Sequence, residues 1–190
     1  MVRRPKGDVY RPRMDGPMIV WRAATGQDVP HLVNLTQQQF EHEADEIFRT
    51  DPVVYTHNLM RAVVDQFYAP ASCLVKVARI DDRIAGYVWV ERGQHAVWAA
   101  DEMAAVKIVH VDMALSTRQR LRLCSEMIDH WEAWALVVGI PVICSTTMRG
   151  DQAGFLKLHE RRGYDVRGSI AYKRLTAGFP GSSVASTIVG

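Results

Sequence analysis

The chain has 190 residues, 48% of them hydrophobic and 23% charged, which suits one cored domain with tails. Net charge is +2, yet residues 1–16 hold Arg3, Arg4, Lys6, Arg11 and Arg13 against Asp8 and Asp15, a local +3 on a body of about −1. No apolar run reaches the roughly 18 residues of a membrane helix, and the first 16 residues lack the apolar centre of a signal peptide. Cys73, Cys124 and Cys144 have no regular spacing, so a reducing, cytoplasmic setting without a disulfide framework is expected; no Cys/His cluster has zinc spacing, and no metal is expected.

In chain order, residues 1–16 read as a basic flexible arm. Such an arm is a solvated leader or a contact for nucleic acid or another acidic surface. A short strand follows over 18–23. Thr25 then reads as an N-cap, with Asp28 three residues on and Pro30 in the first turn, for a helix that carries Leu32, Val33, Leu35 and Phe40 inward to about Glu43. After an acidic link at 41–46, Asp51-Pro52 caps a second helix. It places Val53, Val54, Met60, Val63, Val64 and Phe67 at helical spacing and ends before Pro70.

Two β-rich runs, 73–80 and 83–91, flank the turn signal Asp81-Asp82 and predict a hairpin, broken after its second strand by Gly93. Residues 94–105, with Trp98, Asp101 and Glu102, read as an irregular insert. A strand at 107–113 leads through 114–117 into a long helix from about Arg118. Leu121, Cys124, Ile128, Trp131, Ala135 and Val138 form its apolar stripe, with Gly139 as the left-handed stop before Pro141. A strand end feeding a helix start makes a crevice whose backbone N–H groups favour an anion.

A strand over 142–146, a loop at 148–151, a helix over 152–162 stopped by Gly163, and a closing hairpin at 164–167 and 171–175 complete the pattern. Residues 176–190, rich in Gly, Ser and Ala, read as a disordered tail. The domain thus spans 17–175, and its order β-α-α-β-β-β-α-β-α-β-β predicts a mixed α/β layer rather than a doubly wound sheet.

That order resembles the GCN5-related N-acetyltransferase (GNAT) superfamily. Three stretches carry the likeness: Arg22-Ala23-Ala24-Thr25-Gly26-Gln27-Asp28 followed by Leu32 and Leu35, then Ile84-Ala85-Gly86-Tyr87, then Gly163-Tyr164. The resemblance implies a GNAT-like acyl-CoA N-acyltransferase fold that uses acetyl-CoA as co-substrate. It aligns Gln119, Arg120, Leu121, Arg122, Leu123 and Cys124 with the family's pyrophosphate loop, Gln/Arg-x-x-Gly-x-Gly/Ala. Gln119 matches the leading position, Arg118 being the alternative one residue earlier, while Arg122 and Cys124 stand where small residues belong. A glycine lets the main chain approach phosphate; Arg122 instead either turns outward or offers its guanidinium. In the second family motif Gln152 takes the Asn position, Phe155 the Ala position, and His159 the place of the tyrosine that protonates the departing thiolate.

Acetyl transfer also needs a base and a donor for the oxyanion. Ile108, His110 and Asp112 share one side of the central strand, opposite Lys107, Val109, Val111 and Met113. The family's glutamate position falls near Ile108, which leaves His110 as base or as a core histidine. An amide at Met113 or Ala114 is implied for the thioester carbonyl, and the acidic link at 41–46 for one wall of an amine-acceptor groove. A narrower resemblance, in the 94–105 insert and in 154–164, is to acetyltransferase-like proteins of tailed bacteriophages. The implied function is N-acetylation of an amine on a small molecule or protein by direct attack. The alternative is a catalytically degenerate binding or structural protein, such as an accessory component of a phage particle, as a homodimer or within a larger assembly.

Overall fold

Strands β2 (Cys73–Ile80) and β3 (Arg83–His95) form the centre of the sheet, and most residues from Cys73 to Val90 within them are buried. Continuous apolar runs such as Leu74-Val75 and Tyr87-Val88-Trp89-Val90 suit strands covered on both faces. The turn between them is Asp81-Asp82, and both residues take positive φ (47° and 62°), as a two-residue hairpin turn requires. The computed structural model describes residues 18–43, 48, 50–147 and 153–168.

Among the described residues five strands follow in the order β1-β2-β3-β4-β5, where β1 is Val20–Ala23, β4 is Glu102–Val111 and β5 is Val142–Ser145. Neighbours pair antiparallel except β4 and β5, which run parallel. Helices α1 (Val29–Glu43) and α2 (Pro52–Tyr68) cover one face. Helices α3 (Thr117–Val138) and α4 (Ala153–Arg161) cover the other. The described elements thus keep the expected order of a mixed α/β layer as far as α4. Residues 164–167 carry no strand pairing among the described residues; the expected second arm at 171–175 lies outside them, as do the arm at 1–16, positions 44–46 of the acidic link at 41–46, the loop at 148–151 and the tail.

Several boundaries differ from expectation. The cap of α1 sits at Asp28, whose carbonyl accepts the first helical bond from Leu32 N–H, rather than at Thr25. Thr25 instead gives its N–H (2.8 Å) and hydroxyl (2.9 Å) to the Asp28 carboxylate, which also takes two 2.6 Å bonds from Arg22. Asp51 does cap α2, accepting from Val53 and Val54 N–H. The buried face of α2 is Leu59, Ala62 and Val63, while Val53, Val54, Val64 and Phe67 face outward. Of the expected inward residues only Val63 is buried, with Leu59 and Ala62 beside it.

Gly93 does not break β3. Its φ of +88° absorbs a bulge, and Arg92 locks the continued hairpin through bonds of 2.8 and 2.7 Å to Glu102, which also accepts from Gly93 N–H. Half of the expected insert at 94–105 is therefore strand, and 96–101 remain irregular. On α3 the expected stripe holds at Ile128, Trp131 and Ala135, but Leu123 and Met127 are buried in place of Leu121 and Cys124. A 3.5-residue spacing drifts around a 3.6-residue helix, so its first turn points away from the core. Trp131 is wholly buried and gives its N–H to Tyr164 Oη at 2.7 Å. Truncating such a side chain costs about 3–5 kcal/mol.

Gly86 has a steric duty. A Cβ there would lie 2.6 Å from His110 O and 3.0 Å from Met127 Cε, so only glycine lets β3, β4 and α3 close on one another.

Candidate active site

β4 carries the site because its two ends have different neighbours. Residues Met103 to Val106 pair with Val142 to Ser145 of β5, and β5 ends there while β4 runs five residues further. On the β3 side the register slips between Trp89↔Ile108 and Val90↔Val106, which leaves Lys107 as a bulge. The bulge reverses the side-chain alternation: Ala104 and Val106 face α3 before it, Val109 and Val111 after it. Ile108 and His110 are thereby turned to the α1/α2 face. Lys107 itself reaches Glu91 at 3.6 Å.

Beyond its pairing with β5, β4 ends in the turn that starts α3. Asp112 accepts from Ala114 N–H at 2.8 Å, and Ser116 forms a reciprocal cap with Gln119: Ser116 N–H donates to Gln119 Oε1 at 3.0 Å, and Gln119 N–H to Ser116 Oγ at 3.4 Å. Gln119, expected at the phosphate loop, thus helps close the helix start. Arg120 folds back over this turn, bonding Thr117 Oγ1 and Met113 Sδ at 3.3 Å each. Arg122 points the other way, into a 2.8 Å bond with Glu126, whose second oxygen accepts from Trp21 Nε1 at 2.7 Å. Of the remaining residues expected at the loop, Leu121 is exposed, Leu123 is core, and Cys124 is half-buried. Gln152 lies outside the described residues.

On the α1/α2 face His110 is 7% exposed and stacks on Tyr87, its cross-strand partner, at 5.6 Å. The Tyr87 hydroxyl bonds those of Thr36 and Tyr55, and Thr36 also donates to Leu32 O at 2.8 Å. Burial raises the Tyr87 phenol well above its ordinary value, with the neighbouring Tyr55 adding to the effect. Burial raises Tyr55 too, against hydrogen bonds from Tyr87 and Thr36 that pull it down. Both hydroxyls therefore stay protonated and act as hydrogen-bond groups. Tyr55 escaped the sequence reading because nothing in the helical pattern of α2 distinguishes a hydroxyl aimed at the sheet from one aimed at solvent.

On the opposite face His159 is 4% exposed, 49 residues further along the chain than His110. Its ring packs against Phe155, Tyr164 and Trp131 at 4.3, 4.9 and 5.9 Å. Nδ1 is 2.9 Å from Phe155 O, and Nε2 is 3.1 Å from Ser145 Oγ. His110 and His159 thus lie on opposite faces of the sheet and do not form a pair. Ser145 was not singled out by sequence, since a lone serine at a strand end carries no motif.

A separate groove of about 790 Å³ lies between β1, the end of α2 and Trp134, lined by Met60, Val64, Phe67, Pro70 and Leu74. Its lining is mostly apolar packing surface. Among the described residues no group of His, Cys, Asp and Glu is placed to hold a metal ion, and no helix is long and apolar enough to cross a membrane.

The sequence matches no family model and no curated protein. Solved structures do share the fold. Aminoglycoside N-acetyltransferase AAC(6')-Iy, solved in complex with CoA, superposes with a TM-score of 0.63 at 14% identity, over 88% of this chain and 99% of that one. A predicted acetyltransferase with acetyl-CoA from Clostridium acetobutylicum gives 0.63 at 12% identity, over 83% and 96%. Glucosamine-6-phosphate N-acetyltransferase from Arabidopsis thaliana gives 0.59 at 13% identity, over 84% and 99%. The mixed five-stranded sheet with its helices therefore has the GNAT acetyltransferase fold.

Proposed function

We propose that this chain is an acetyl-CoA-dependent N-acetyltransferase that passes an acetyl group to an amine by direct attack. The observation that carries the reading is strand β4, which pairs with β5 only over Met103 to Val106 and runs on past it towards the start of α3. Where two parallel strands part, backbone groups can pair with the amide-bearing arm of CoA in the manner of an added strand. A helix start with Arg120 folded across it suits the pyrophosphate. The likeness to structures solved with CoA and acetyl-CoA supports the same assignment.

Within this reading the thioester carbonyl meets a backbone amide of the turn at Met113 or Ala114, the turn that Asp112 holds by accepting from Ala114 N–H at 2.8 Å. The amine approaches from the α1/α2 face, where His110, or a water held beside it, accepts its proton. Tyr87 fixes the imidazole plane by stacking. The acetyl group leaves sulfur for nitrogen, and the thiolate is protonated from the α3/α4 face, where His159 lies.

Calorimetric titration with acetyl-CoA tests the assignment, and absence of heat at millimolar cofactor would sink it. Thiol release measured against a panel of small amines and lysine peptides then identifies the acceptor class. One observation favours a second reading: Arg122 is tied to Glu126 and Gln119 to the helix cap, so neither resembles a free phosphate ligand. Cofactor binding without turnover of any amine would assign the chain to that reading, a GNAT-fold binding protein such as an accessory part of a phage particle.

A further inference from the structure

Ser145 is the last residue of β5 that pairs with β4, opposite Val106, so it stands where the two strands part company. It is half-buried, and its Oγ lies 3.1 Å from His159 Nε2. The other ring nitrogen is committed. A carbonyl oxygen only accepts, so the contact of Nδ1 with Phe155 O at 2.9 Å places a hydrogen on Nδ1. Phe155, Trp131 and Tyr164 enclose the rest of the ring. The nitrogen not taken by α4 is therefore taken by Ser145, and the serine oxygen stands at the strand mouth ahead of the imidazole.

We propose that the Ser145 hydroxyl, and not the His159 ring, meets the sulfur of the departing CoA, with His159 a positioning residue that supplies its proton. The inference rests on the acetyl-transfer reading above. Attack of the amine forms the C–N bond, and collapse of the tetrahedral adduct breaks C–S and leaves the electron pair on sulfur. The Ser145 O–H proton passes to that sulfur. The Nε2 proton of a doubly protonated His159 passes to Ser145 Oγ, so CoA leaves as the thiol and the serine keeps a hydroxyl. The ring ends neutral with its hydrogen on Nδ1, still held by Phe155 O, and the hydroxyl turns to donate to Nε2. The proton released by the amine leaves on the opposite face, and solvent restores the one taken from His159.

The arrangement has a consequence for sulfur that no purely structural role shares. A hydroxyl aimed at a thiolate stabilises it, so the thiol of bound CoA titrates at lower pH than it does without that donor. The test compares the unaltered protein with Ser145→Ala and Ser145→Thr. Calorimetry gives acetyl-CoA affinity, the ultraviolet absorbance of the thiolate gives the titration of bound CoA, and thiol release with an accepted amine gives kcat. Expected are affinities within about threefold of one another, since the hydroxyl acts on the leaving group and not on ground-state binding. Ser145→Ala raises the thiol titration and lowers kcat about 100-fold, in the range of lost proton transfer, and Ser145→Thr restores both. An unchanged thiol titration in Ser145→Ala, with cofactor still bound, overturns the inference and leaves the acetyl-transfer reading intact. Failure of the unaltered protein to bind acetyl-CoA overturns that reading and this inference together. The thiol titration needs no acceptor, so it decides the matter even before an amine is identified.

Discussion

Arg22 holds Asp28 through two parallel bonds of 2.6 Å, from the end of β1 to the first residue before α1. Burial alone would raise the Asp28 carboxyl, but the Arg22 guanidinium and the two Thr25 donors outweigh it and hold the group at about 2. A carboxylate that is easier to ionise in the folded chain than in the unfolded one, where it titrates at about 3.9, stabilises the fold above that value. The contribution is fully present at neutral pH and is lost as pH falls from about 4 towards about 2. Because Arg22 is partly solvated, about 2 kcal/mol is the expected size. Urea unfolding at a series of pH values checks it: Asp28→Asn loses about 2 kcal/mol at pH 7 and flattens the acid limb of the stability profile.

Gly86→Ala tests how closely the central strands are set. The new methyl would meet His110 O at 2.6 Å and Met127 Cε at 3.0 Å, and the first contact is backbone, which cannot swing aside. Overpacking of this kind costs about 1–3 kcal/mol. A lower midpoint in thermal unfolding is expected, and with it a weaker affinity for acetyl-CoA, because the displaced strand β4 leads into the turn proposed to receive the cofactor. A Gly86→Ala protein with unchanged melting would show that β3 and β4 are further apart than described.

Much of this architecture is legible in the residues. Asp51-Pro52 announces α2, Asp81-Asp82 the hairpin, and Gly139 the end of α3, each through a local rule that tertiary structure has no reason to override. Gly93 shows the limit of such rules. The same residue that ends a strand in isolation here hosts a bulge, because Glu102, nine residues away, accepts its N–H. The site is legible only in part. His110 and His159 are visible as histidines in suggestive places, but their faces depend on the bulge at Lys107 and on the packing of α4 against α3, both long-range facts. Ser145 and Tyr55 gain their meaning from partners 14 and 32 residues distant, and no periodicity carries that information.

Tyr87→Phe opens the hydroxyl cluster beneath His110. Thr36 keeps its bond to Leu32 O, whereas Tyr55 loses a partner in a half-buried setting. The expected cost is about 1–2 kcal/mol, and a double-mutant cycle with Tyr55→Phe recovers part of it, since removing both hydroxyls leaves less unsatisfied than removing one. The ring itself remains, so the stacking on His110 survives and kcat with any accepted amine falls by less than the stability loss implies. Alkali reports the same cluster: both phenols are raised in the fold, so the unfolded chain loses its protons first and stability declines as pH rises past about 10.

The two arginines of the α3 start separate what the sequence treats alike. Arg120 and Arg122 stand two residues apart, and either could offer a guanidinium to phosphate. Arg120 lies over the first turn, against Thr117 and Met113, on the side where β4 ends. Arg122 is held by Glu126, itself held by Trp21, on the side facing β1. Leaving that pair for a phosphate would strand Glu126 with one partner fewer. Arg120→Ala is therefore expected to weaken acetyl-CoA binding by about 1.5–3 kcal/mol, the worth of a hydrogen bond to a charged group, which is roughly a 10- to 100-fold rise in Kd. Arg122→Ala is expected to leave Kd within about threefold and to lower stability by no more than the ~0.5 kcal/mol of an exposed pair four residues apart on a helix. Calorimetry on both variants, repeated at higher ionic strength, decides it. If Arg122→Ala carries the larger loss, the guanidinium swings away from Glu126 when cofactor binds, and the phosphates lie nearer β1 than the turn at Met113.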